Sequence, residues 1–426
     1  MASFKSLLAV LAAVSTVLLQ GAMAQSCPNL TPRSQPALAQ GYSARLVMNG
    51  LSRPRSLLFD KLGNLLIVEQ GGTGIRYVKL TDNGGTNVCV ASQKQLIPNG
   101  APQLNHGIAL SADGKTLYAS SATDVFAYPY DAAAGTVGQG RSIINAMNQG
   151  GHSTRTLHIP KSNPNWLLVS RGSDGNLDLD ASQRSQIRAF DLTKLTGSPV
   201  PYTAGEVFGA GLRNSVGIGE NPLDGSIWTV ENSLDNMARN GVDIHNDNPG
   251  EELNYHGIFN SSSNQYRGKD YGYPNCFAVW DTTTISGVPN VQVGSQVIQG
   301  NPSGQITDQY CQTTPVAPRL TFQAHLAPLD IEFSPNGRSA YISFHGSWNR
   351  QPPDGYRLSR VDFGANGQPT AASNSRSAEV RVMWNSNQSL CPNGCFRPVG
   401  LAWDGKGRLF MASDSSNEIF VITVPS

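Results

Sequence analysis

Six times along the chain an apolar run is interrupted by a short polar turn and then resumes. The first copy runs Arg53-Pro54-Arg55-Ser56-Leu57-Leu58-Phe59, turns at Gly63-Asn64 and continues Leu65-Leu66-Ile67-Val68-Glu69. The second is Asn105-His106-Gly107-Ile108-Ala109-Leu110, turning at Asp113-Gly114 before Leu117 to Ser120. The third leads from His152 and Arg155 through Asn163-Pro164-Asn165 into Trp166 to Ser170. The fourth leads from Arg213-Asn214 through Asp224-Gly225 into Ile227 to Glu231. The fifth covers His325 to Phe333, Asn336-Gly337 and Tyr341 to Phe344; the sixth begins Phe396-Arg397-Pro398, turns near Asp404-Gly405 and ends Leu409 to Ser413. Each copy predicts two short strands joined by an Asn-Gly or Asp-Gly type turn, the strongest local hairpin signal.

Recurrence at about 50 residues or more points to blades rather than to a solenoid of shorter units. The fold class expected is therefore all-β, a six-bladed β-propeller in one domain over residues 25–426, with a two-sheet sandwich as the alternative. The long interval from Asn236 to Gln323 predicts an insertion over one face. Tyr42 to Met48, extended in pattern, is expected to close the ring by joining the last blade.

Composition agrees with a turn-rich β globule: 44 glycines, 26 prolines and only 14% charged residues. A formal charge of +1 with no basic run excludes a nucleic-acid partner. Lys5, the apolar run Leu7 to Leu19 and Ala22-Met23-Ala24 read as a signal peptide over residues 1–24, and no later segment has the roughly 20 apolar residues a membrane span needs. The mature protein is expected to be secreted and monomeric. Six cysteines in an exported chain predict disulfides, though sequence alone leaves their pairing open. Locality favours Cys276–Cys311 and Cys391–Cys395, leaving Cys27–Cys89. Asn29, Asn260 and Asn387 match the N-glycosylation pattern.

In a propeller the first strand of each blade lines the central channel, and the segment leading into it sits on one rim. Those lead-in segments carry Arg53 and Arg55, His106, His152 and Arg155, Arg213 and Asn214, His325, and Arg397. A ring of guanidinium and imidazole groups in a chain with almost no net charge calls for an anionic ligand, and guanidinium forks suit carboxylates. Singly, each arginine could instead pair with an acidic residue of a neighbouring blade.

Gly346-Ser347-Trp348-Asn349-Arg350 after His345, Gly211-Leu212-Arg213-Asn214, Gly250-Glu251-Glu252-Leu253-Asn254, Tyr271-Gly272-Tyr273-Pro274 and Arg397-Pro398-Val399 resemble the glucose/sorbosone dehydrogenase family, and within it the fungal pyrroloquinoline quinone (PQQ)-dependent sugar (pyranose) dehydrogenases. The resemblance spans about Arg53 to Val424. It implies a dehydrogenase whose cofactor is PQQ, an ortho-quinone with three carboxylates, and whose substrate is a sugar. It implies cofactor contacts from Arg213, Asn214 and Arg397, joined by Arg55 of the ring and by His345, Trp348 and Arg350 of the Gly-Ser-Trp-Asn-Arg segment. Trp348 would form an apolar platform. No lysine matches the family's cofactor lysine, and Arg350 is the residue that could replace it. His152 takes the place of the general base and Asp174 that of the carboxylate orienting its imidazole. Ca²⁺ would be held by the backbone carbonyls of Ser233 and Leu234, a segment that also reads as an ordinary turn. Asp243, Asn246, Asp247, Asn248 and Glu251 form a second acidic cluster, explained most simply as a polar loop. No Cys-x-x-Cys-His haem motif occurs, so the expected electron acceptor is a separate protein, a cytochrome or a redox enzyme acting on polysaccharide. The alternatives are a Ca²⁺-dependent propeller hydrolase, which would need a ring of carboxylates in the channel, and a propeller that only binds glycans or proteins.

Overall fold

The computed structural model describes residues 26–425, except 73, 99, 101, 149, 181, 182 and 302–304. The signal-peptide segment lies outside the described residues. Six antiparallel sheets follow one another around a ring, and their innermost strands are Pro54–Phe59, Ile108–Leu110, Leu157–His158, Ser215–Asn221, Pro328–Phe333 and Pro398–Trp403. Each innermost strand touches the next, and the last returns to the first, which makes a six-bladed β-propeller.

Local chemistry explains the hairpins. In five of the six blades a glycine in the left-handed region turns the chain between the first two strands: Gly63, Gly114, Gly225, Gly337 and Gly407, with φ between 68° and 77°. Asp60, Asp113, Asn336 and Asp404 stabilise these turns by accepting backbone N–H groups two residues on, and Asp60 and Asp404 a further one four residues on. In the sixth blade it is Gly407, not Gly405, that takes the left-handed conformation.

The second strand of a blade is mostly apolar rather than alternating, because neighbouring blades cover both its faces. Leu65–Glu69, Ser226–Glu231 and Leu409–Ser413 are buried at every position. Six apolar clusters fill the six interfaces between blades. The largest, between the fourth and fifth, packs Trp228, Leu253 and Phe322 against Ile331, Phe344 and Phe363.

Ring closure joins the two ends of the chain. Ser43–Met48 forms the outer strand of the sixth blade, pairing Leu46 with Phe420 and Ser43 with Thr423. The interval after the fourth copy contributes the outer strands of its own blade, Glu251–Ile258 and Leu320–Phe322, as well as an insertion. That insertion holds two small hairpins and a helix, Asp308–Thr313, and packs Leu234, Met237 and Ile244 against Tyr273, Phe277 and Val297. All three disulfides, Cys27–Cys89, Cys276–Cys311 and Cys391–Cys395, are formed as locality suggested.

Candidate active site

Four of the six innermost strands carry a register shift at their rim end, between Pro54 and Leu57, Ser215 and Gly217, Pro328 and Asp330, and Pro398 and Leu401. Such bulges bend the strand and re-aim its side chains.

Contacts between the lead-in segments run right around this rim. Asp414, directly after the second strand of the sixth blade, receives Arg55 Nη1 at 3.1 Å from the first blade and His345 Nε2 at 2.8 Å from the fifth. Arg55 Nε faces His106 Nδ1 of the second blade at 3.4 Å. Asn105 donates to the Ser153 carbonyl of the third blade at 2.9 Å. Ser173 N–H of the third blade donates to the Arg213 carbonyl of the fourth at 2.8 Å. Asn232 Nδ2 of the fourth donates to the Pro328 carbonyl of the fifth at 2.7 Å.

These contacts decide which arginines stay available. Arg213 is buried and pairs with Asp235 at 2.9 Å, with its other donors on the Asn176 and Asn232 carbonyls and the Asn176 amide. Arg350 pairs with Asp247 at 2.8 Å and donates to the Asn246 carbonyl of the insertion loop. Arg397 differs: it makes no ion pair among the described residues. Its Nε and Nη2 donate to the His345 and Gly346 carbonyls, and its guanidinium lies over the Tyr356 ring. Burial alone would raise the Asp414 carboxyl, but His345, Arg55 and Arg397 outweigh it and hold the group well below the usual carboxylate range. Burial, then the Arg55 charge, pushes His106 well below its ordinary value, so this imidazole is neutral. The ring of cations is thus a smaller set of guanidiniums around one carboxylate.

His152, on the segment leading into the third blade, is half-buried. Burial first, then the Arg213 charge, lowers its pKa to about 4. Its Nδ1 meets the Ser173 carbonyl at 3.1 Å and the Ser173 hydroxyl at 3.0 Å. Asp174, expected to orient this ring, makes no hydrogen bond to it among the described residues and lies 3.4 Å from Arg184. Asn214 packs beside His152 at Gly172, where an added Cβ would lie 2.7 Å from Asn214 Oδ1 and 2.8 Å from His152 Cβ, so only glycine admits both.

The segment expected to hold a cation is stitched down on every side except one. Ser233 N–H donates to Glu251 at 2.8 Å, Asn232 N–H to the Asn214 carbonyl at 3.1 Å, and the Asn232 carbonyl accepts Arg213 Nη1. The Leu234 side chain is buried in the insertion's apolar cluster. Among the described residues, the carbonyls of Ser233 and Leu234 accept no hydrogen bond, so they fit a hard cation that takes oxygen ligands. The second acidic cluster is dispersed instead: Asp243 faces His245, Asp247 faces Arg350, and Asn248 and Glu251 accept backbone N–H groups. Trp348 stands out from the rim, 71% exposed.

Asp414, Ser173 and Asn232 were not among the residues expected from the sequence. They share one repeat position, just beyond the second strand of a blade, where the chain returns to the rim. That position could have been read as a register alongside the lead-in segments.

Fold and rim together define a six-bladed propeller with arginine, histidine and asparagine side chains gathered at one rim. The chain belongs to the TrAA12-like family, whose model matches residues 36–425. It is 47% identical over 395 residues to the pyrroloquinoline quinone-dependent sugar dehydrogenase of Hypocrea jecorina, covering 91% of this chain and 89% of that one. The calcium structure of the Trichoderma reesei family AA12 enzyme superposes with a TM-score of 0.89 at 47% identity over 94% of this chain and 99% of that one. The holo form of the pyranose dehydrogenase PQQ domain from Coprinopsis cinerea superposes with a TM-score of 0.86 at 39% identity, covering 93% and 99%.

Proposed function

We propose that this protein is a PQQ-dependent sugar dehydrogenase with His152 as its general base. The observation that carries the reading is a half-buried imidazole, its pKa lowered to about 4 and set beside Arg213 and Asn214, in a family member 47% identical to an enzyme of that activity. When bound, the quinone accepts the hydride from the sugar carbon. Arg397, without an ion pair among the described residues, would hold a carboxylate of the quinone, and Asn214 would hydrogen-bond beside it. The Ser233 and Leu234 carbonyls would hold Ca²⁺. His152 Nε2 takes the proton of the sugar hydroxyl, a role that typically contributes 10²–10⁴-fold. Arg213, already paired, keeps the imidazole neutral through its charge.

The substrate class is a monosaccharide or a keto-aldose. Electrons leave to a separate one-electron acceptor, a cytochrome or a polysaccharide-active redox enzyme. Three disulfides support an exported, oxidising location for the mature chain, and the exposed Asn29, Asn260 and Asn387 are available for glycosylation. The test is reconstitution: protein produced without PQQ should reduce a dye with sugar only after PQQ and Ca²⁺ are added. Equal rates with and without cofactor, or none in either case, would refute the reading.

A further inference from the structure

His152 has two ring nitrogens, and a general base needs the one facing the substrate to be unprotonated. Which nitrogen carries the proton is set by what the other one meets. Around Nδ1 the chemistry is one-sided. The Ser173 carbonyl, 3.1 Å away, can only accept. The Ser173 hydroxyl, 3.0 Å away, directs its own hydrogen to the Gly175 carbonyl at 2.6 Å, so it also offers a lone pair. A bare Nδ1 would face two lone pairs. We propose that Ser173 sets the tautomer of His152, holding the proton on Nδ1 and leaving Nε2 free to accept the substrate's proton. The inference rests on the reading of His152 as the base and names the residue that prepares it.

Ser173 is placed to do this rigidly. It is fully buried, its N–H donates to the Arg213 carbonyl at 2.8 Å, and its carbonyl also accepts the His152 N–H at 3.0 Å. From the other side Arg155, fully buried and without a carboxylate partner, donates to the carbonyls of His152 at 2.7 Å, Thr154 at 2.8 Å, Asn148 at 2.9 Å and Met147 at 3.2 Å. That clamp fixes the main chain of the loop carrying the base, and Gly172 leaves room for the ring.

The charged and titratable groups facing the imidazole are Arg213 from the fourth blade and Arg155 from its own loop, while Tyr273 of the insertion stands beside Ser173. Asp174 meets Arg184 through one oxygen, at 3.4 Å, and makes no hydrogen bond to the imidazole among the described residues. A carboxylate partner would fix the same tautomer but would also favour the protonated ring. A hydroxyl and a carbonyl fix it without adding charge, so with two guanidiniums nearby the base stays neutral in mildly acidic surroundings.

The tautomer can be read without turnover. In the cofactor-free full chain labelled with ¹⁵N-histidine, long-range ¹H–¹⁵N correlations distinguish the two forms for each of the seven histidines, and His152→Asn identifies the signals of interest. Protonated Nδ1 with unprotonated Nε2 at pH 7 is expected; protonated Nε2 overturns the proposal. In the reconstituted enzyme, Ser173→Ala should lower kcat about tenfold with KM within about twofold, and Ser173→Thr should restore it. Ser173→Asp should move the acid limb of kcat/KM upward by about one to two pH units. An unmoved acid limb together with unchanged kcat in Ser173→Ala would overturn the proposal as well. Should the wild-type enzyme fail to oxidise any sugar, the dehydrogenase reading falls, and the correlation spectrum alone still decides the tautomer.

Discussion

Replacing Asp414 by Asn removes the carboxylate that joins Arg55 of the first blade and His345 of the fifth to the sixth. Its side chain is buried, as is that of Arg55, and its contacts at 3.1 Å and 2.8 Å bind the first, fifth and sixth blades at the mouth of the channel. Asparagine keeps the shape and some hydrogen bonding but leaves the Arg55 guanidinium buried without a counter-charge. Breaking a buried pair in this way costs about 3–5 kcal/mol. With an unfolding entropy of about 2.1 cal/mol/K per residue over roughly 400 residues, the melting temperature should fall by about 4–6 °C. The pH dependence is a second check. The Asp414 carboxyl titrates below its unfolded value of about 3.9, so its contribution is complete above that pH and is lost as the pH falls toward the folded value. The gap between wild type and Asp414→Asn should therefore narrow as the pH falls below about 4. Differential scanning calorimetry across that range measures both effects. A shift under about 1 °C at pH 7, or a gap that widens in acid, would refute the claim that Asp414 neutralises the rim.

Arg397→Ala should weaken PQQ binding by about 1.5–3 kcal/mol, the worth of a hydrogen bond to a charged group, with little change in melting temperature; titration calorimetry with PQQ and Ca²⁺ reads the affinity directly, and an unchanged Kd would remove Arg397 from the cofactor site. Trp228→Ala should destabilise by about 3–5 kcal/mol without altering cofactor affinity, because Trp228 is fully buried against Tyr255, Phe333 and Phe363 between the fourth and fifth blades and far from the rim contacts; denaturant unfolding checks it.

The propeller was legible because its signals are local and repeated. A left-handed glycine beside an Asx residue favours a hairpin, and a strand covered on both faces reads as a near-continuous apolar run, so copies such as Leu65–Glu69 and Leu409–Ser413 announce themselves. Even the closing strand could be anticipated from its extended pattern. The lead-in positions follow from the same register, which is why Arg55, His152, Arg213 and Arg397 could be named in advance.

What each of those side chains does was decided by partners remote in sequence. Arg213 and Arg350 carry the same charge as Arg397, yet Asp235 and Asp247 neutralise the first two, while Arg397 finds only carbonyls and a tyrosine ring. Asp414 meets Arg55 across 359 positions of chain. Ser173 and Asp174 are adjacent, and only the path of the loop decides which of them faces His152. Sequence alone determined the blades and the rim positions, because turns and strand burial depend on neighbours along the chain. Tertiary structure alone decided which charges are spent and which nitrogen is free, because hydrogen bonds and ion pairs depend on distances of a few ångströms between blades that no repeat pattern encodes.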